Sequence, residues 1–344
     1  MVTTTRISDI AEYIPEGRLS NAVLEALYPA WPAEKIFEKT GIRTRGLAKP
    51  GETASDLAYC AAQKLFGKGL VNPSDIDFVI LCTQASDHIL PTTACILQHR
   101  LGIPTSSGAL DVNLGCSGYV YCLSLAKGLI ETGTAKCVLL LTADTYSKYI
   151  HPLDKSVRTL FGDGATATAV VADETQQGSI GPFVFGTDGS GANHLIVPAG
   201  AFRRPADEES AQEVKDSSDN VRTANHLYMN GAEVMAFTLR EVPRSVDALL
   251  SKAKLSMDDI DYFVLHQANR FMLESLRKKL KISADRMPVH LEEVGNTVSS
   301  TIPLTLHSMF QQGQLTSTKR LMLIGFGVGL SWSACILNIQ GSEK

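Results

Sequence analysis

The sequence predicts an α/β fold built from two similar halves, and three observations carry that expectation. Short apolar runs rich in β-branched and aromatic residues alternate with longer segments of helical periodicity, the pattern of strands joined by helices. One such run, Ile76-Asp77-Phe78-Val79-Ile80-Leu81, finds a counterpart 184 positions later in Ile260-Asp261-Tyr262-Phe263-Val264-Leu265. The chain has 344 residues, 44% of them hydrophobic and 20% charged, which is enough for two domain-sized units around a large core.

Taken in chain order, Ala54–Phe66 reads as a helix and Phe78–Cys82 as the strand that follows a polar turn. Gly115-Cys116-Ser117 then opens an apolar helix over Tyr119–Glu131 that ends near Gly133, and Cys137–Thr142 and Ala165–Val171 are β-rich. Gly200–Asn225 interrupts the alternation with six acidic and four basic residues and reads as a solvated loop, a lid or a connection. The second half resumes with helices over Ala232–Ala253 and Arg270–Leu280 around the strand Tyr262–Leu265, and closes on the strand Leu321–Phe326. At an offset of 180, Gly295-Asn296-Thr297 matches Gly115-Cys116-Ser117 and opens a helical segment ending near Gly313. These matches divide the chain at residues 1–175 and 176–344, two halves packed about a pseudo-dyad. The dyad brings the strand end at His266 and the turns at Cys116 and Asn296 to one junction.

Charge and cysteine usage exclude several classes. With 32 basic and 36 acidic residues the net charge is -4, so neither nucleic acid nor an anionic membrane is the expected main partner. No run reaches the roughly 18 apolar residues of a membrane span, and the N-terminal residues lack a signal-peptide core; the expected location is the cytoplasm. The seven cysteines, Cys60, Cys82, Cys95, Cys116, Cys122, Cys137 and Cys335, form no CxxC pair and no zinc spacing, so reduced thiols and no metal are expected.

Three side chains carry the candidate chemistry. Cys116 sits in Gly-Cys-Ser-Gly between a β-like approach and an apolar helix, where the helix dipole favours thiolate and lowers a pKa of about 8.5. His266 leaves the polar end of a buried strand, where α/β folds place catalytic groups. Asn296 is otherwise an ordinary turn residue, singled out by its match to Cys116. Gly325-Phe326-Gly327-Val328-Gly329 can bring bare N–H groups to a ligand as an oxyanion hole.

Six segments in order resemble the thiolase-fold condensing enzymes, and among them β-ketoacyl-acyl carrier protein synthase III. They are Thr40-Gly41-Ile42-Arg43-Thr44-Arg45, Asp111 to Gly118, Phe161-Gly162-Asp163-Gly164-Ala165, His266-Gln267-Ala268-Asn269, Gly295-Asn296-Thr297 and Phe326-Gly327. The resemblance implies a five-layer α-β-α-β-α thiolase-like fold. It makes Cys116 the acyl-accepting nucleophile, His266 and Asn296 the rest of the triad, and the backbone N–H groups of Cys116 and Val328 the oxyanion hole. The implied reaction loads an acyl group from coenzyme A or a carrier protein onto Cys116 and condenses it with malonyl-carrier protein or malonyl-coenzyme A, with loss of carbon dioxide. It needs no resident cofactor, because coenzyme A and phosphopantetheine thioesters are its substrates. The alternative is transfer of the acyl group to an oxygen or nitrogen nucleophile, against which the neutral Asn296 argues.

The same resemblance implies a homodimer with contacts near Leu90–Gln98 and an acyl pocket sized by Thr92, Ala94 and Leu97. Its tryptophan and arginine beside the nucleotide fall on Lys35 and Lys39, and its pantetheine asparagine falls on Ala232. Lys39, Arg43 and Lys155 are left to meet phosphates, and Arg270, Arg277 and Lys278 to receive an acidic carrier.

Overall fold

The computed structural model of the chain describes residues 4–173 and 179–339. Five strands, Thr4–Tyr13, Phe78–Cys82, Gly108–Val112, Cys137–Asp144 and Gly164–Asp173, form one sheet. Four others, Ser179–Thr187, Tyr262–Leu265, Lys319–Gly327 and Ser331–Ile339, form a second. The two sheets follow the same path. In the first, Thr4–Tyr13 pairs antiparallel with Gly164–Asp173, which pairs antiparallel with Cys137–Asp144, which pairs parallel with Phe78–Cys82. In the second, Ser179–Thr187 pairs antiparallel with Ser331–Ile339, which pairs antiparallel with Lys319–Gly327, which pairs parallel with Tyr262–Leu265. The first sheet adds Gly108–Val112 as a parallel edge strand. The expected boundary at 175/176 lies outside the described residues.

The two-residue period of a strand decides the layering. Ile80, Cys82, Val138 and Leu140 face inward and share a central core with Val264, Leu321 and Leu323 of the second sheet. Their neighbours Val79, Leu81, Leu139 and Leu141 face outward and are covered by the alanine-rich side of the helix Ala54–Phe66. In the second sheet Phe263, Met322, Ile324 and Ala334 face outward against Phe237 and Leu249 of Gly231–Ala253 and Leu273 of Arg270–Leu280. Both sheets are buried on both faces, so their strands read as continuous apolar runs. The helices Gly118–Glu131 and Thr301–Gln311 lie between the sheets, completing five layers.

Those two central helices start 183 positions apart, close to the 184 that separates the strands starting at Phe78 and Tyr262. The 180 offset is therefore out of register, and the topological counterpart of Cys116 is Ser299. Asn296 does not open a helix. Gly295 has φ 74° and Val298 φ 56°, left-handed conformations that cannot continue into a helix, and a 3₁₀ turn over Val298–Ser300 intervenes.

The segment 200–225 is largely exposed, as expected of a solvated loop, and carries a small ordered core. A two-residue hairpin pairs Val214–Lys215 with Val221–Arg222, and Ser210, Asn220 and Thr223 are buried. Arg222 anchors this core on Asp154 Oδ2 and Asp216 Oδ2, each at 2.7 Å, while Asp207, Glu208, Glu209 and Glu213 stay exposed.

Arg45, in the first segment of the family resemblance, is fully buried and has no carboxylate partner among the described residues. Its guanidinium donates to Asn21 Oδ1 at 2.5 Å and to the Thr159 carbonyl at 3.1 and 2.5 Å. Burial pulls its pKa down to about 9. It ties the strand Thr44–Leu47 to the loop below the cavity floor, so Arg45→Leu leaves Asn21 Oδ1 and the Thr159 carbonyl buried without donors. The expected loss is about 3 kcal/mol in urea unfolding, with the slope of the transition unchanged.

Candidate active site

Cys116 lies in the turn before Gly118–Glu131, at the C-terminal end of the first sheet's parallel strands. The strand Lys319–Gly327 crosses beside it so closely that a Cβ at Gly327 would stand 2.8 Å from Cys116 Cβ and 2.9 Å from its Sγ. Only glycine allows that approach, and it carries the Val328 N–H to the sulfur. Ser333 Oγ, on the next strand, donates to the Ser117 carbonyl at 2.9 Å, and the Ser117 and Ser331 hydroxyls meet at 2.7 Å. These bonds lock the turn from the second half.

His266 is fixed by its own backbone N–H, which donates to the Ile324 carbonyl at 2.8 Å, and by an edge-on contact with the Phe326 ring at 5.4 Å. Its Nδ1 stands 2.7 Å from Thr301 Oγ1. Asn296 is held through its main chain, its N–H on the Leu160 carbonyl at 2.9 Å and its carbonyl receiving the Gly162 N–H at 3.0 Å. Its Oδ1 accepts from Val298 N–H at 3.0 Å, which leaves the side-chain NH₂ as the available donor.

All three line one cavity of about 80 Å³, together with apolar Leu160, Phe161, Leu195, Val234, Met272 and Phe326. The structure thus brings together the three residues that the sequence separates by up to 180 positions.

The expectation of a depressed thiol pKa is corrected here. Cys116 is pushed up to about 12, first by burial and then by the nearby Asp144 carboxyl, while the N–H groups of Cys116 and Val328 act the other way. The same burial lowers His266 to about 3, so the ring is neutral throughout the working range. Two consequences follow for chemical labelling. In the free protein the thiolate is the minor form, so alkylation of Cys116 by iodoacetamide rises close to tenfold per pH unit from about pH 7 to 10 without a plateau. Asp144, raised to about 7, ionises inside this window and makes the slope slightly shallower. A plateau near neutral pH in the rate of mass gain would show a thiolate activated by the helix end instead.

The cavity opens toward a mouth of about 580 Å³ lined by Trp31, Lys39, Thr40, Lys155, Asn220 and Phe271 among others. The amines of Lys35 and Lys39 lie over the Trp31 ring at 5.0 and 5.8 Å. Trp31 is the residue that sequence reasoning missed. It stands one helical turn before Lys35, just ahead of the helix Ala33–Thr40, so a search one turn either side of the expected position finds it.

The other sequence-derived residues separate. Lys39 borders the mouth, and Lys155 does too, with its amine on the carbonyl of Ser218 in the 200–225 segment. Arg43 lies over Phe37 at 3.8 Å and pairs with Glu292, as does Arg270. Arg277 is folded back on Glu274 at 2.8 Å and on the Ile282 carbonyl, while Lys278 beside it is exposed. Ala94 and Leu97 belong to the outer core of the first sheet and Thr92 is exposed; none of them borders the Cys116 cavity. Gly231, not Ala232, lines it.

Known proteins agree with this architecture. Residues 110–189 match the model for 3-oxoacyl-[acyl-carrier-protein] synthase III, and residues 250–339 the model for the C-terminal part of the same family. A β-ketoacyl-[acyl-carrier-protein] synthase III of Clostridioides difficile is 35% identical over 337 residues, 98% of this chain and 99% of that protein. A crystal structure of a 3-oxoacyl-(acyl-carrier-protein) synthase III is 66% identical with a TM-score of 0.97, covering 98% of this chain and 100% of that one. The priming β-ketosynthase of the R1128 polyketide biosynthetic pathway is 28% identical with a TM-score of 0.84, covering 98% and 97%. Among the described residues no helix is long and apolar enough to cross a membrane.

Proposed function

The chain belongs to the β-ketoacyl-[acyl-carrier-protein] synthase III family, and we propose on that premise that it extends a Cys116-bound acyl group with a malonyl unit. The observation that carries the residue assignment is the shared cavity: one thiol and two neutral hydrogen-bonding side chains face the same apolar space. In the first half-reaction the Cys116 sulfur bonds to the acyl carbon, the donor's carbon–sulfur bond breaks, and the thiol proton leaves on the donor sulfur. The Cys116 and Val328 N–H groups that already point at this sulfur hold the oxyanion, so the negative charge ends on the carbonyl oxygen as the thiol proton departs.

In the second, a malonyl thioester loses carbon dioxide and the electron pair of the broken bond becomes an enolate. The enolate oxygen takes hydrogen bonds from Asn296 NH₂ and from His266. His266 serves as the second donor in the tautomer that carries its ring hydrogen on Nε2, the one in which Thr301 Oγ1, 2.7 Å from Nδ1, gives its single proton to the ring instead of to the Val298 carbonyl at 3.1 Å. The enolate carbon then attacks the acyl carbonyl, and the Cys116 sulfur leaves and regains a proton.

Trp31 with Lys35 and Lys39 at the mouth supports coenzyme A donors, because an aromatic face beside cations suits an adenine nucleotide and its phosphates. Lys155 and Arg43 extend the positive rim; Arg270 and Lys278 are the proposed contacts of an acidic carrier protein, with Arg277 bracing the helix through Glu274. A homodimer is supported by the edge strand Gly108–Val112, with no second sheet neighbour among the described residues, and by Ile89 and Leu90, 80% and 79% exposed. The enzyme would work in the cytoplasm, where its thioester substrates are made.

The test is intact-mass analysis after incubation with a panel of acyl-coenzyme A and acyl-carrier thioesters, followed by a malonyl-carrier chase. The expected result is a single acyl adduct, discharged as a β-ketoacyl thioester with carbon dioxide release. An adduct that malonyl-carrier never discharges, but an amine or alcohol does, would replace condensation with simple acyl transfer.

A further inference from the structure

We propose that Asp144 is a positioning residue, a buried clamp that holds the turn between Asn296 and Thr301 so that both enolate-binding side chains aim into the cavity; the proposal rests on the condensing reading above. Asp144 ends the strand Cys137–Asp144 of the first half, is fully buried, and has no cationic partner among the described residues. Its Oδ1 accepts from Gln84 N–H at 2.9 Å, and its Oδ2 accepts from Ser299 N–H at 3.2 Å and from Ser299 Oγ at 2.5 Å. Ser299 belongs to the second half and is the topological counterpart of Cys116, so the carboxyl pins the two halves together beneath the site.

The turn it pins is under strain. Val298 is β-branched yet has φ 56°, a conformation that such residues almost never adopt without support from their surroundings. The N–H of Val298 fixes Asn296 Oδ1, its carbonyl lies 3.1 Å from Thr301 Oγ1, and that same hydroxyl meets His266 Nδ1 at 2.7 Å. Asn296 therefore takes its orientation directly from Val298, His266 rests on Thr301 three residues further along the same turn, and the residue next to Val298 is the one Asp144 holds. Burial pushes the Asp144 carboxyl up to about 7 despite three donors, as expected for an acid kept in an apolar junction by its contacts. The Cys116 turn has its own ties, through Ser117, Ser331 and Ser333, while the Asp144 carboxyl reaches the sulfur only as a nearby charge that raises the thiol pKa.

This separation gives the test. In the full-length protein, Asp144→Ala should slow Cys116 acylation by no more than about threefold, since loss of a carboxyl that raises the thiol pKa favours the thiolate, and reduce carbon dioxide release from malonyl-carrier protein at least about tenfold. Ser299→Ala, which removes the hydroxyl and keeps the backbone bond, should lower carbon dioxide release in the same selective way but less. It also keeps the question answerable if Asp144→Ala does not fold. Equal losses in both half-reactions, or unchanged carbon dioxide release in either soluble variant, would overturn the clamp. An unsubstituted protein that takes up acyl groups but releases no carbon dioxide would instead overturn the condensing reading, and the proposal with it.

Discussion

Cys116→Ala is expected to take up no acyl group from any thioester and to lose condensation by at least about 10⁴-fold, while still releasing carbon dioxide from a malonyl thioester. The asymmetry follows from where each step draws its groups. Acyl loading needs the sulfur itself and has no substitute in the cavity, since the other lining residues are apolar, glycine, or the neutral His266, Asn269 and Asn296. Decarboxylation needs hydrogen bonds at an oxygen, and those come from side chains the substitution does not touch. The removed thiol is buried beside Gly327, so alanine leaves space for about one sulfur atom and little disturbance of packing. Mass spectrometry for the adduct and a malonyl thioester labelled in its free carboxylate for the carbon dioxide separate the two steps. If an acyl adduct persists in this variant, another cysteine is the nucleophile and the central assignment is wrong.

Much of this site was legible in the sequence because two of its three side chains mark the ends of regular elements. Tyr262–Leu265 is a short apolar strand whose last residue adjoins a histidine, and the Gly-Cys-Ser-Gly turn introduces a long apolar helix, so periodicity alone places His266 and Cys116 near element ends. The internal repeat then predicts that these ends meet. Other parts escaped for identifiable reasons. The offset of 180 paired Asn296 with Cys116, whereas the helices are registered at 183, because the irregular turn through Gly295 and Val298 leaves no periodic trace. The edge strands Ser179–Thr187 and Thr4–Tyr13 mix polar and apolar residues without strict alternation, and their pairing is decided by neighbours distant in sequence.

The thiol pKa was misread because the helix dipole is visible in sequence and burial is not. A helix end changes a group's free energy by about 1 kcal/mol, whereas complete burial of a charge costs several times more. At this buried site desolvation wins, and Cys116 is held as the thiol. That ordering has a chemical use: a thiol held protonated at rest is a poor target for adventitious alkylation and oxidation.

Asn296→Asp is expected to be the most informative change in the second half-reaction. The substitution preserves the acceptor for Val298 N–H, so the turn keeps its 3.0 Å bond and its shape. What changes is the other side-chain atom, from an NH₂ that donates to an oxygen that carries charge. Loss of one preorganised donor at a developing oxyanion costs roughly 10²–10³ in rate, and a carboxylate facing the enolate adds repulsion on top. Carbon dioxide release should therefore fall by about 10³-fold or more at neutral pH. Acyl loading, which uses the N–H groups of Cys116 and Val328, should fall by less than about tenfold, through the added negative charge near the sulfur. Lowering the pH toward the range where the new carboxyl is protonated should restore part of the carbon dioxide release, because a neutral acid can donate where its anion cannot. If both half-reactions drop together and no recovery appears on acidification, Asn296 shapes the cavity and does not bind the enolate.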